Sequence, residues 1–170
     1  MKADFVNTYD YTEVVSREAQ TAFIFHETFP LTARIGTIVL FAGGMIAAWY
    51  THNPAFLFFS AAAFLMAGVK IYGVWHAVKE EMKRIKTKYG TDHFHPVYSF
   101  GEQIYFKAEQ KAGTVTVPLK AIESFTETKN LFVVFLRGKQ FIPVKKDSFT
   151  KGTEAEFRQY LKEGKYKNVS

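Results

Sequence analysis

The sequence predicts an α+β membrane protein: a two-helix transmembrane hairpin, a basic helical stalk, then a small antiparallel β-domain capped by a C-terminal helix. Three observations carry this reading. Ile35 to Val69 contain no Asp, Glu, Lys or Arg, the apolar period changes from helical to strand-like after Asp92, and a capping box opens a last helix at Thr153. The 170 residues leave room for one domain or two very small ones. Their mean hydropathy of −0.09 averages two unlike regions, because all 22 basic and 16 acidic side chains lie outside the uncharged run. The absence of cysteine excludes a disulfide scaffold and any thiolate metal site. With 18 Phe and 9 Tyr the chain is too aromatic to be disordered.

One crossing of a hydrocarbon core takes about 20 helical residues. The uncharged run is too long for that, and Thr51-His52-Asn53-Pro54 interrupts it as a polar turn. Two spans follow, at about 35–50 and 55–78, the first short enough that Leu31 to Ala33 or a thinned bilayer must supply the rest. Trp49 and Tyr50 fall at the turn end, and Tyr72 and Trp75 at the other, as two interfacial belts. Lys70 lies late in the second span, where its stem carries the ammonium to the near surface. The turn has no Lys or Arg, whereas six basic residues come after it: Lys70 late in the second span, then Lys79, Lys83, Arg84, Lys86 and Lys88. The positive-inside rule therefore puts both termini in the cytoplasm. Asp4, Asp10, Glu13, Glu18 and Glu27 argue against a cleaved signal peptide. Small residues four apart (Gly43 with Ala47, Gly44 with Ala48, Ala63 with Ala67) let helices approach closely, within the hairpin or across a homodimer.

The helical pattern runs on to Gly90. Trp75, Val78, Met82, Ile85 and Tyr89 form one apolar stripe on a very basic helix. A stripe of this kind needs cover, and residues 11 to 29 offer a helix with Tyr11, Val14, Val15, Ala19, Ala22, Phe23 and His26 on one face. The expected seam joins Val15, Ala22 and Phe23 to Val78, Met82 or Ile85. A two-chain coiled coil and an amphipathic helix on anionic lipid are the alternatives.

Beyond Asp92, residues 94–100, 103–109, 114–119, 130–137 and 141–144 read as strands, with Arg137-Gly138-Lys139-Gln140 as the turn between the last two. Thr153 with Glu156 three residues on starts a helix bearing Phe157, Tyr160 and Leu161 on one face. The chain divides as 1–30 (N-terminal segment with an amphipathic helix), 31–78 (hairpin), 79–90 (stalk), 91–164 (β-domain with its helix) and 165–170 (tail). In Pro118 to Ile122, Leu131 to Leu136, Phe141 to Phe149 and the Glu154 to Leu161 helix, the sequence resembles the YcxB-like family of small bacterial membrane proteins. The resemblance implies a pleckstrin-homology-like (PH-like) barrel in the inner membrane's cytoplasmic compartment and no established activity.

No phosphate loop, nucleophile elbow or paired carboxylates are visible, so neither an enzymatic activity nor a cofactor is expected. His93 and His95 form a His-x-His without an evident third ligand, which weighs against metal. Lys83, Arg84, Lys86, Lys88, Lys145 and Lys146 are the candidate contacts to anionic headgroups. Nucleic acid is not an expected partner, since the aromatics serve lipid and core and no reading motif occurs. The expected function is a non-enzymatic, membrane-anchored binding module presenting its domain to a protein partner or anionic lipid. The alternative is a protective protein whose hairpin meets a membrane-directed toxin.

Overall fold

The computed structural model describes residues 3–27, 31–90, 94–108, 113–164 and 167–168. The chain forms two compact units, one of Met1–Phe23 with Val78–Ser170 and one of Ile24–Ala77. Sequence boundaries had set 1–30 and 79–90 apart as segments of their own; the contacts gather most of both into the β-containing unit.

That unit begins with β1 (Ala3–Thr8), which the periodicity reading did not contain. Helix α1 (Glu13–Glu27) follows, and the last part of α3 (Leu57–Tyr89) returns the chain to the same unit. Strands β2 (Pro96–Gly101), β3 (Gln103–Ala108) and β4 (Thr114–Pro118) form a meander with a register of Phe100 opposite Ile104 and Phe106 opposite Val115. Next come β5 (Ile122–Glu127), β6 (Leu131–Leu136), β7 (Gln140–Lys145), β8 (Phe149–Lys151), α4 (Glu154–Glu163) and the short β9 (Lys167–Asn168). Among the described residues one sheet has the order β4-β3-β2-β1-β8 and the other β7-β6-β5-β9. Pairing is antiparallel except between β5 and β9.

Strand β1 therefore lies inside a sheet, between β2 and β8, although 87 residues of chain separate Thr8 from Pro96 in sequence only through the helices. Alternation explains its burial. Phe5, Asn7, Tyr9 and Tyr11 point inward and are nearly or fully buried, while Asp4 and Asp10 are exposed. Asn7 is a polar member of the core because its amide is satisfied: Nδ2 donates to the Lys145 carbonyl (2.8 Å) and Oδ1 accepts from the Lys145 N–H (3.1 Å).

Every residue of β6 is buried, as its unbroken apolar run suggests for a strand covered on both faces. Helix α4 covers the core with Phe157 and Leu161, both with no exposed surface. The ring of Phe157 meets Phe5, Phe100, Phe132 and Phe149 at centroid distances of 4.9 to 5.5 Å. The Thr153 side chain accepts from the Glu156 N–H (3.3 Å) and Glu156 Oε2 accepts from the Thr153 N–H (2.9 Å), which completes the expected capping box. Gly152 precedes it at φ +77°, where a Cβ would collide with the Phe5 ring.

The second unit is an apolar hairpin. Helix α2 (Leu31–Thr51) has 21 residues, about 31 Å at 1.5 Å per residue, and α3 continues well past the same length. Both are long and apolar enough to span a membrane. The turn between them is built by Asn53, whose Oδ1 accepts from the Ala55 N–H (3.0 Å) at the start of a 3₁₀ turn, Pro54–Phe56. Where the helices meet, Gly44 and Ala63 are buried and Ser60 Oγ donates to the Phe41 carbonyl (2.8 Å). The small residues thus serve packing within the hairpin at Gly44 and Ala63, while Gly43 faces open space. Outward lie Ile38, Val39, Ile46, Phe58, Phe64 and Leu65, each 60 to 77% exposed.

Candidate functional site

The β-containing unit holds an open groove of about 550 Å³ between the end of α3, the entry to β2 and the β6–β7 turn. Its floor is aromatic. Tyr89 stacks on Phe94 (centroids 4.7 Å apart), Tyr11 meets Phe94 edge-on (5.9 Å), and Phe106 touches Phe94 and Tyr98 (6.2 and 5.2 Å). Tyr11 reaches the floor because an isolated bridge to Phe94 brings its backbone beside the start of β2, with the Tyr11 N–H donating to the Phe94 carbonyl (2.8 Å).

Glu81 is the one carboxylate in the lining. Its Oε1 accepts from the Tyr11 hydroxyl (2.9 Å), and its Oε2 accepts from Ser16 Oγ (2.5 Å) and Gln20 Nε2 (3.1 Å). All three donors come from the chain around α1, and Ser16 is fully buried, so this node clamps α1 to α3. Burial raises the Tyr11 phenol far above its ordinary pKa, and the Glu81 charge adds to it. The Tyr98 phenol is raised by the same two causes in the same order. Tyr9, buried beside Tyr98, is raised as well and donates to the Pro143 carbonyl (2.5 Å). Burial thus favours the neutral form of all three phenols, and Tyr9 and Tyr11 act as hydrogen-bond donors.

The groove's rim is cationic. Arg84 and Lys88, one helical turn apart on α3, face Lys139 across it. Lys139 sits in the β6–β7 turn at φ +59°, after Gly138 at +85°, a pair of positive φ values that gives a tight hairpin turn. All three side chains are exposed, and among the described residues no carboxylate pairs with any of them.

The candidate membrane-surface cations separate into two groups. Lys83, Arg84, Lys86 and Lys88 are exposed on α3. Lys145 pairs with Asp147 (3.3 Å), and Lys146, only 17% exposed, pairs with Glu127 (3.4 Å) and donates to the Thr128 carbonyl (2.8 Å). Arg158 adds a bidentate contact to Glu127 (2.9 and 3.1 Å). Burial opposes the Glu127 charge, but Arg158 and Lys146 outweigh it and hold the carboxyl below its usual range.

Of the expected seam, Val78, Ile85 and Val15 are buried, and Met82, Tyr89, Ala22 and Phe23 pack against the core. Trp75 is 45% exposed and belongs to the hairpin unit. Phe23 turns its ring to Phe141 and Phe135 (5.1 and 6.4 Å), so α1 packs on the sheet as well as along α3. Val14, expected on the covered face, is 71% exposed, because the face centres on Val15, Ala19 and Ala22 and Val14 lies about 100° from it. Glu18 extends the sheet contact. It accepts from Thr128 Oγ1 (2.5 Å) and from the N–H and Nδ2 of Asn130 (2.8 and 2.9 Å). His93 lies outside the described residues, and His95 Nδ1 contacts Asp10 (2.5 Å). Among the described residues there is no cluster of metal-ligating side chains.

Sequence reasoning missed Glu81, Lys139 and strand β1, and it put Tyr11 on a helix that starts only at Glu13, whereas Tyr11 bridges to Phe94. Phe5, Tyr9 and Tyr11 at even spacing were a partial signal for the extended segment, broken by Asn7.

Fold and site define an α+β protein in which two apolar helices are inserted into a two-sheet domain closed by a C-terminal helix. Its β-domain is YcxB-like: residues 100–161, which run from the end of β2 through most of α4, match the YcxB-like protein family. No curated protein and no solved structure matches the chain.

Proposed function

We propose that the protein is a non-enzymatic, multi-pass membrane anchor that presents a PH-like domain at the cytoplasmic face of the bacterial inner membrane to a protein partner. The exposed apolar surfaces of α2 and α3 support insertion in lipid, since a soluble monomer rarely leaves so large an apolar area in water. Antiparallel pairing of β1 with β2 supports an even number of crossings: chain before the hairpin joins chain after it in one sheet, and so shares its compartment. Lys70 late in the second span and five cations after it, against none in the turn, support the cytoplasm as that compartment. Two sheets closed by α4 are in keeping with a PH-like barrel.

The observation that carries the binding role is the edge at β4. Among the described residues nothing pairs with its outer side, and Val115 is 57% exposed there. The other sheet's edge at β7 is occupied, with Asn7 bonded to Lys145 and Tyr9 to Pro143. A partner segment that adds as a strand beside β4 would use its unpaired backbone groups, with Val115 as an apolar anchor.

Val115→Lys places a charge on the edge, a common device against strand addition. Extracted in mild detergent, the wild-type chain should retain a partner by affinity capture that the variant loses, with unfolding temperature unchanged. Retention of the same partner by a folded V115K chain would contradict the reading.

A further inference from the structure

The groove beside Tyr89 and Phe94 has a chemistry that the strand edge does not use. Its body is apolar and aromatic, its volume falls in the range of small-molecule sites, and its rim carries Arg84, Lys88 and Lys139. Elsewhere on the same unit Lys145, Lys146 and Arg158 are each balanced by a nearby carboxylate. At the groove the single carboxylate, Glu81, is already committed to Tyr11, Ser16 and Gln20 on the α1 side. Arg84, Lys88 and Lys139 are left with no acidic partner among the described residues. Two separate elements, α3 and the β6–β7 turn, bring these charges to one opening over stacked rings.

We propose that this groove binds an organic phosphate with an apolar body, the phosphate held among Arg84, Lys88 and Lys139 and the body laid against Tyr89, Phe94 and Phe106. Guanidinium and ammonium donors suit phosphate oxygens, the first by a planar fork and the second as a point charge. Stacked rings suit an acyl chain or a flat ring and offer nothing to a bare inorganic ion. The floor hydroxyls of Tyr11 and Tyr98 stay protonated, so they add no negative charge to repel the ligand. The proposal does not depend on strand addition at β4, and Val115→Lys should leave it unaffected.

The test uses the full-length chain in neutral detergent and titration calorimetry with four probes: dihexanoylphosphatidylglycerol, phenyl phosphate, dihexanoylphosphatidylcholine and inorganic phosphate. Saturable binding of the first or second, at least about tenfold tighter than the last two, is the expected result. Preference for phosphatidylglycerol identifies a membrane lipid as the source, and preference for phenyl phosphate a soluble ligand. In either case Lys139→Ala and Arg84→Ala should each weaken binding roughly tenfold and reduce its dependence on salt, with unfolding temperature unchanged. Both side chains are exposed, so neither variant threatens the fold. No saturable binding, equal binding of inorganic phosphate, or affinity unaltered in the two variants would each overturn the proposal.

Discussion

At Gly44 a hydrogen atom stands where any other residue would carry a Cβ 2.6 Å from Ser60 Oγ and 2.9 Å from the Phe56 carbonyl oxygen. Two of its three nearest neighbours, the Phe56 carbonyl oxygen and the Ser60 nitrogen (3.1 Å), are backbone, which yields only if the chain segments part. Gly43, one residue earlier, has nothing within 4 Å of the same construction. Replacing a helical glycine by alanine favours the helix by about 1 kcal/mol, while overpacking a close contact costs about 1 to 3 kcal/mol. Gly43→Ala should therefore hold or raise the resistance of the hairpin to denaturation in mixed detergent micelles, and Gly44→Ala should lower it. Equal behaviour of the two variants would mean that the α2–α3 contact is absent. The spacing of small residues announces that some close approach occurs; it takes the hairpin geometry to separate Gly44, which is used, from Gly43, which is not.

The element that most changes the account of the chain is α1. Its apolar face was legible from Val15, Ala19 and Ala22 at helical spacing, and so was its need for a partner along α3. Its polar anchors were not legible, because Ser16, Gln20 and Glu81 look like solvated residues in one dimension and become a buried node only when two helices cross. The same holds for Glu18, which reads as surface charge and acts as a cap for the β5–β6 turn. Burial disfavours the Glu18 carboxylate, yet the donors Thr128 and Asn130 outweigh burial and lower its pKa. By contrast β6 and α4 were readable, since an unbroken apolar strand and a capping box are local signals that tertiary context seldom overrides. Glu81→Ala strands the Tyr11, Ser16 and Gln20 donors against a partly buried seam, a loss of about 2 to 4 kcal/mol. Limited proteolysis should then release the segment up to α1 faster than in the wild-type chain. An unchanged cleavage rate, with unchanged denaturant midpoint, would show that the node does not hold α1 in place.

For the whole molecule the main consequence is that the β-domain is discontinuous in sequence. Residues 100–161 carry the YcxB-like match, but the first sheet is completed by β1, from the far side of the hairpin. This was not visible in the periodicity, because Asn7 breaks the apolar alternation and its burial depends on the Lys145 backbone it meets only after folding. A domain cut at residue 91 would lack an interior strand and the α1 cover over Phe135 and Phe141. Chain that precedes α2 and chain that follows α3 thus pair in one sheet, which supports the same-side topology proposed above. The native chain has no cysteine, so a single engineered pair is free of competing thiols. Thr8 lies opposite Val97 in the β1–β2 register, a cross-strand separation that a disulfide spans. In the full-length Thr8→Cys, Val97→Cys variant, mild oxidation in native membranes should give a crosslinked monomer in high yield. Absence of the crosslink, or its formation only between two chains, would contradict the discontinuous domain and the topology drawn from it.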